Sequence, residues 1–144
     1  MTRKEFLKKA GIGAAFVLTV PCLHSCGSDD DPDGPQSAGG KDFMIDLTDA
    51  NVAAELGAQG YVIREMVVVT QFDDGTYGAA SQVCSHTGTE EVIYDVSRDE
   101  WFCRTHGARF AASDGDPLND VTDNPLRIYN TSLDAATQML RVFG

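Results

Sequence analysis

Basic residues are scarce in this chain: of 144 residues, 11 are Lys or Arg against 22 Asp or Glu, a formal charge of −11. Phosphate-backbone binding needs a basic face, so this lack excludes nucleic acid as a partner. Long apolar runs are missing too. None reaches the roughly 18 to 20 residues that span a bilayer as a helix. Glycine at 14 residues and aromatics at 8% are ordinary for a β-rich globular domain, and they exclude collagen-like and coiled-coil designs. No internal repeat is present. Histidine is rare, with 3 in all, and cysteine occurs 4 times, a number that calls for a physical reason.

The N-terminus differs from the rest. Arg3, Lys4, Lys8 and Lys9 surround one acid, Glu5, and the apolar stretch Ala10 to Leu23 follows. Fourteen residues as a helix span about 21 Å, too short for the roughly 30 Å hydrocarbon core and right for a signal-peptide apolar region. A short amphipathic helix is the alternative, but the apolar positions form no helical stripe. Residues 1–25 therefore read as a signal peptide. Arg3-Lys4-Glu5-Phe6-Leu7 resembles the twin-arginine export motif with Lys4 in place of the second arginine, so twin-arginine and general secretion both stay open. Leu23-His24-Ser25-Cys26 resembles a lipobox, which makes Cys26 the expected site of lipid attachment. Cys22 is a poorer candidate because Pro21 precedes it. The acidic run after Cys26 resembles the surface-export signal of Bacteroidetes lipoproteins, and it reads equally well as solvated linker.

Residues 26–40 are rich in Gly, Pro, Ser and Asp and read as a flexible tether. From Cys26 onward the chain keeps 7 Lys and Arg against 21 Asp and Glu, a net charge of −14. A basic, membrane-adhering surface is thereby excluded, so contact with the membrane is expected through the lipid anchor. The expected location is the periplasmic or cell-surface side of a Gram-negative bacterium.

Residues 41–144 are enough for one small core. Phe43 to Leu47, Tyr61 to Phe72, Thr76 to Val83, Val92 to Tyr94, Glu100 to Phe102, Leu126 to Tyr129 and Met139 to Phe143 have strand composition. Asp73-Asp74-Gly75 supplies a turn, and Asp95 to Asp99 and Asp134 to Thr137 supply further hairpin signals. One short helix is expected near Asn51 to Leu56. The fold class is all-β, a sandwich or small barrel.

Every Cys and His between 41 and 144 falls in two tight pairs, Cys84-Ser85-His86 and Cys103-Arg104-Thr105-His106, with 16 residues between His86 and Cys103. Each pair ends a predicted strand, and a glycine follows in the same loop, Gly88 or Gly107. Two such pairs with nothing left over point to a metal site. Two thiolates and two imidazoles suit tetrahedral zinc, but the mixed C-x-H and C-x2-H spacing is not the usual zinc pattern. A binuclear [2Fe-2S] cluster accounts for it better, with Cys84 and Cys103 on one iron and His86 and His106 on the other.

These residues resemble the Rieske family, whose pattern is C-x-H, about sixteen residues, then C-x2-H, with glycines placed as Gly88 and Gly107 are. The resemblance extends over nearly all of 41–144, including the loop Asp123-Asn124-Pro125-Leu126. It implies a Rieske-type antiparallel sandwich of three stacked sheets, with two loops forming a small cluster-binding subdomain and the Pro125 loop covering the cluster from a third side. Respiratory members join the two loops by a disulfide; the corresponding positions are Thr89 and Thr105. Their cluster-bonding Ser and Tyr correspond to Ala108 and Phe110, which cannot donate. A low potential is therefore expected. Glu90 and Glu91 push the same way, and Arg104 and Arg109 oppose them.

The expected function is one-electron transfer to and from an unidentified redox protein, with no substrate pocket and no catalytic residue of its own. An accessory subunit of a larger oxidoreductase and a zinc-holding, non-redox interaction domain are the alternatives. A Rieske oxygenase is excluded, because it needs a mononuclear iron on further histidines and only His24, in the signal, remains. Ser81 and Ser85 likewise have no spare histidine for a hydrolase triad. Trp101 is expected in the core rather than as an electron relay.

Overall fold

The computed structural model describes residues 40–144. The expected signal peptide, Cys26 and all but the last residue of the tether lie outside the described residues. Nine strands and one helix follow in the order β1 (Asp42–Asp46), α1 (Ala50–Gln59), β2 (Tyr61–Arg64), β3 (Val67–Gln71), β4 (Tyr77–Ser81), β5 (Val92–Asp95), β6 (Glu100–Cys103), β7 (Arg109–Ala111), β8 (Ile128–Asp134) and β9 (Met139–Phe143). The helix starts where the Asp49 carboxylate accepts the Asn51 N–H at 2.7 Å. It stops where Gly60 turns left-handed at φ 82° and its N–H reaches the Leu56 carbonyl. Among the described residues no helix is long and apolar enough to cross a membrane.

The strands pair antiparallel throughout. Six form one sheet in the order β1-β9-β8-β4-β3-β2, and β5-β6-β7 form a second. The three sheets implied by the family resemblance are present, β1-β9-β8, β8-β4-β3-β2 and β5-β6-β7, and the first two run together because β8 is shared. Its first residues, Ile128 and Tyr129, pair with β4, and Asn130 to Asp134 pair with β9.

Side chains of β3 alternate between two cores, as the period of a strand requires. Val67 and Val69 pack with Val62, Ala79, Leu140 and Val142. Val68 points the other way, toward Trp101, Phe110, Cys84 and Cys103. Trp101 is fully buried, with its indole N–H on the Ala112 carbonyl at 3.2 Å, so it is a core residue as expected. The sheet through β3 and β4 is therefore covered on both faces, and its second face carries the small β5-β6-β7 sheet.

Two local expectations are corrected. The run Tyr61 to Phe72 is two strands rather than one. Arg64 pairs with Val67 across a two-residue turn in which Glu65 and Met66 have φ of 51° and 60°. Such a turn needs both central residues left-handed and usually announces itself by Asn or Gly; here neither is present. β7 was not expected, being three residues long with no alternation to mark it.

Candidate metal centre

The site lies in the two excursions that flank the small sheet, one between β4 and β5 and one between β6 and β7. They close in the same way. In the first, the Cys84 N–H bonds the Thr89 carbonyl and the Gly88 N–H bonds the Cys84 carbonyl, both at 2.8 Å. In the second, the Cys103 N–H bonds the Ala108 carbonyl at 2.9 Å and the Gly107 N–H bonds the Cys103 carbonyl at 3.0 Å. Gly88 and Gly107 sit at φ 72° and 73°, the left-handed region where a side chain is strained. No protein atom lies within 4 Å of where a Cβ would stand at either glycine. Backbone handedness, rather than crowding by the protein, is what the structure demands of them.

Equal loops place equal residues. Cys84 and Cys103 are both unpaired by disulfide and almost fully buried in the second core. Their side chains meet each other across the gap between the loops. His86 and His106 are exposed, with ring centroids 5.1 Å apart and planes nearly perpendicular. All four residues singled out in the sequence are thus brought together, the sulfurs inside and the imidazoles outside.

Backbone amides surround the sulfurs. The N–H groups of His86 and Thr87 turn to Cys84 Sγ, and those of Thr105 and His106 to Cys103 Sγ. Burial pushes the Cys84 thiol above its ordinary value. Burial also weighs against the Cys103 thiolate, but the Thr105 N–H, the Cys84 side chain and the Thr89 hydroxyl outweigh it and bring Cys103 down. Buried thiolates ringed by N–H donors are suited to hold a cationic centre in an apolar shell. The donors stand as a buried sulfur pair and an exposed imidazole pair, a segregation that suits a binuclear cluster with one iron on each pair.

A third segment ties the loops down. Pro117 bridges to Phe110, and the Leu118 N–H bonds the Arg109 carbonyl. The Asn119 amide donates to the Gly107 carbonyl at 2.8 Å and accepts the Arg109 N–H at 3.2 Å. Ser85 Oγ donates to the Asn124 carbonyl at 2.7 Å. The residue reaching the first loop is thus Asn124, one before the expected Pro125, which is itself exposed. Asn119 was missed in the sequence, since an asparagine in an acidic loop carries no signal of this role.

The arginines near the site are paired. Arg104 meets Glu91 at 2.8 Å, and Arg109 grips Glu100 with two bonds of 2.6 and 2.7 Å. Glu90 is exposed, while Ala108 and Phe110 are fully buried and bring no hydroxyl to the site.

The Rieske [2Fe-2S] domain profile matches residues 44–130, more than half of the chain. The chain belongs to the Rieske family. Its cofactor is a Rieske-type [2Fe-2S] cluster and its role is electron transfer. Among solved structures, this Rieske chain is similar to the cyanobacterial plasma membrane Rieske protein PetC3 from Synechocystis PCC 6803, at 26% identity and a TM-score of 0.50, covering 63% of this chain and 93% of that one. It is also similar to the ferredoxin of carbazole 1,9a-dioxygenase from Nocardioides aromaticivorans IC177, at 22% identity and a TM-score of 0.49, covering 58% of this chain and 84% of that one. No curated protein matches the chain.

Proposed function

We propose that this chain is a low-potential, one-electron carrier tethered outside the cytoplasm by a lipid on Cys26, with Cys84 and Cys103 holding one iron and His86 and His106 the other. The observation that carries this reading is the segregation of donors, a buried sulfur pair and an exposed imidazole pair on two loops of equal hydrogen bonding. When bound, the cluster supplies a reversible one-electron couple.

The chain's own residues do the rest. The buried cysteines and the amides around them exclude water from the sulfur side. The exposed imidazoles of His86 and His106 shorten the path to a docking redox protein. Apolar Ala108 and Phe110 withhold two hydroxyl donors, and the carboxylates of Glu91 and Glu100 offset Arg104 and Arg109, which keeps the potential low. Tethering is supported by the sequence of residues 1–26, and PetC3 is itself described as a plasma membrane protein.

The test uses the full-length protein purified in detergent and reduced anaerobically with dithionite. Two irons and two sulfides per chain, a Rieske-type paramagnetic signal and a potential below zero are expected. One zinc without sulfide, persisting after cluster reconstitution, overturns the carrier reading, and a potential well above zero overturns its low-potential part. Labelling with radioactive palmitate in a Gram-negative host, lost in Cys26→Ala, tests the tether.

A further inference from the structure

Three threonine hydroxyls meet where the two loops face each other. Thr105 Oγ1 donates to Thr89 Oγ1 at 3.4 Å, and Thr87 Oγ1 lies 3.2 Å from Thr89 Oγ1. Thr89 Oγ1 in turn lies 3.9 Å from Cys103 Sγ, within reach of a hydrogen bond to sulfur. Thr89 is half-buried between the exposed Thr87 and Thr105.

A hydroxyl owns one proton and accepts two hydrogen bonds. With Thr105 donating to Thr89 Oγ1, the Thr89 proton can turn to Thr87 or to the sulfur, and the arrangement in which Thr87 also donates leaves it for the sulfur. Donors linked in a chain polarise one another, so the last bond gains strength. Ala108 and Phe110 bring no hydroxyl to the site, but Thr89 brings one from the opposite loop.

We propose that Thr89 is a positioning residue for the redox centre: its hydroxyl donates to Cys103 Sγ and holds the potential above the value that the apolar shell alone would set. The inference rests on the reading of Cys103 as a cluster ligand. Uptake of one electron makes the ligand sulfurs more electron-rich, which strengthens a hydrogen bond to them and thereby favours the reduced form. No bond of Thr89 forms or breaks. The N–H groups of Thr105 and His106, which also face Cys103 Sγ, belong to the backbone and persist in every side-chain variant.

The experiment compares full-length wild type with Thr89→Val, Thr89→Ala and Thr89→Ser by redox titration, with iron and sulfide counted in each. Thr89→Val and Thr89→Ala are expected to lower the midpoint potential at unchanged iron and sulfide content, and Thr89→Ser to restore it. A merely structural role would alter stability and leave the potential in place. If Thr89→Val fails to assemble, Thr89→Ala against Thr89→Ser decides: a lower value for Ala supports the proposal, and equal values overturn it. A loaded wild type whose potential equals that of loaded Thr89→Val overturns this inference alone. A wild type without iron and sulfide overturns the cluster reading and this inference together.

Discussion

Glu100 and Arg109 show how much a single pair of residues can decide. The Glu100 side chain is only 3% exposed, whereas that of Arg109 is 39% exposed. Removing either partner therefore has unequal effects. Arg109→Ala takes both short bonds from a buried carboxylate, leaves it only Arg98 at 3.8 Å, and is expected to cost about 3 kcal/mol of stability. Glu100→Ala leaves a guanidinium that water can reach, and about 2 kcal/mol is expected. Urea unfolding of the loaded protein checks the order; Glu100→Ala as the more damaging change would refute it. The pair also bears on the site, since Arg109 is held at its N–H by Asn119, whose amide spans to the Gly107 carbonyl of the second cluster loop.

Among the elements, the β2–β3 hairpin holds the clearest strain. Glu65 and Met66 both take positive φ without being Gly or Asn. A left-handed backbone is unfavourable for side chains with a Cβ. Replacing the pair with Asn-Gly, as Glu65→Asn with Met66→Gly, is expected to stabilise the protein by about 1 kcal/mol. A rise in the urea midpoint with an unchanged denaturant slope is the expected reading. The hairpin lies on β2, at the edge of the six-stranded sheet, so the potential of the centre is expected to stay at its wild-type value.

Across the whole molecule, carboxylates do more than supply negative charge. Asp46, Asp74 and Asp95 each accept bonds from a Thr or Ser side chain and N–H two residues on, Asp134 accepts the Ala136 and Thr137 N–H groups, and Asp42 pairs with Arg141. All five are held below the ordinary carboxylate value of 3.8 by these bonds. The unfolded chain therefore binds protons first as pH falls. Their stabilisation is complete above the unfolded value and is lost as pH drops through the lower folded values. Melting temperature is expected to be flat near neutrality and to fall between about pH 5 and pH 2. Asp74→Asn with Asp134→Asn should flatten part of that fall; an unchanged slope would show that other groups cause it.

Much of this protein was legible in one dimension. The donor pattern is local: Cys84 and His86, and Cys103 and His106, lie within three residues of each other, so their spacing alone pointed to a shared centre. The strands with β-branched or aromatic residues and Asp-Gly or Asp-rich turns were legible for the same reason, since turn chemistry acts over four residues. Asp49 and Gly60, which bound the helix, set it longer than its apolar residues indicated. Beyond that reach the sequence by itself was silent. The break at Glu65-Met66 is imposed by pairing, because Val67 to Gln71 also bond to β4 and Tyr61 to Arg64 must fold back upon them. The sharing of β8 between two halves of one sheet, the hold of Asn119 on Gly107 and the meeting of Thr89 with Thr105 and Cys103 likewise belong to the tertiary structure. These contacts join residues 12 to 16 or more apart, and which of them form depends on how the two cores pack, not on the chemistry of either partner alone.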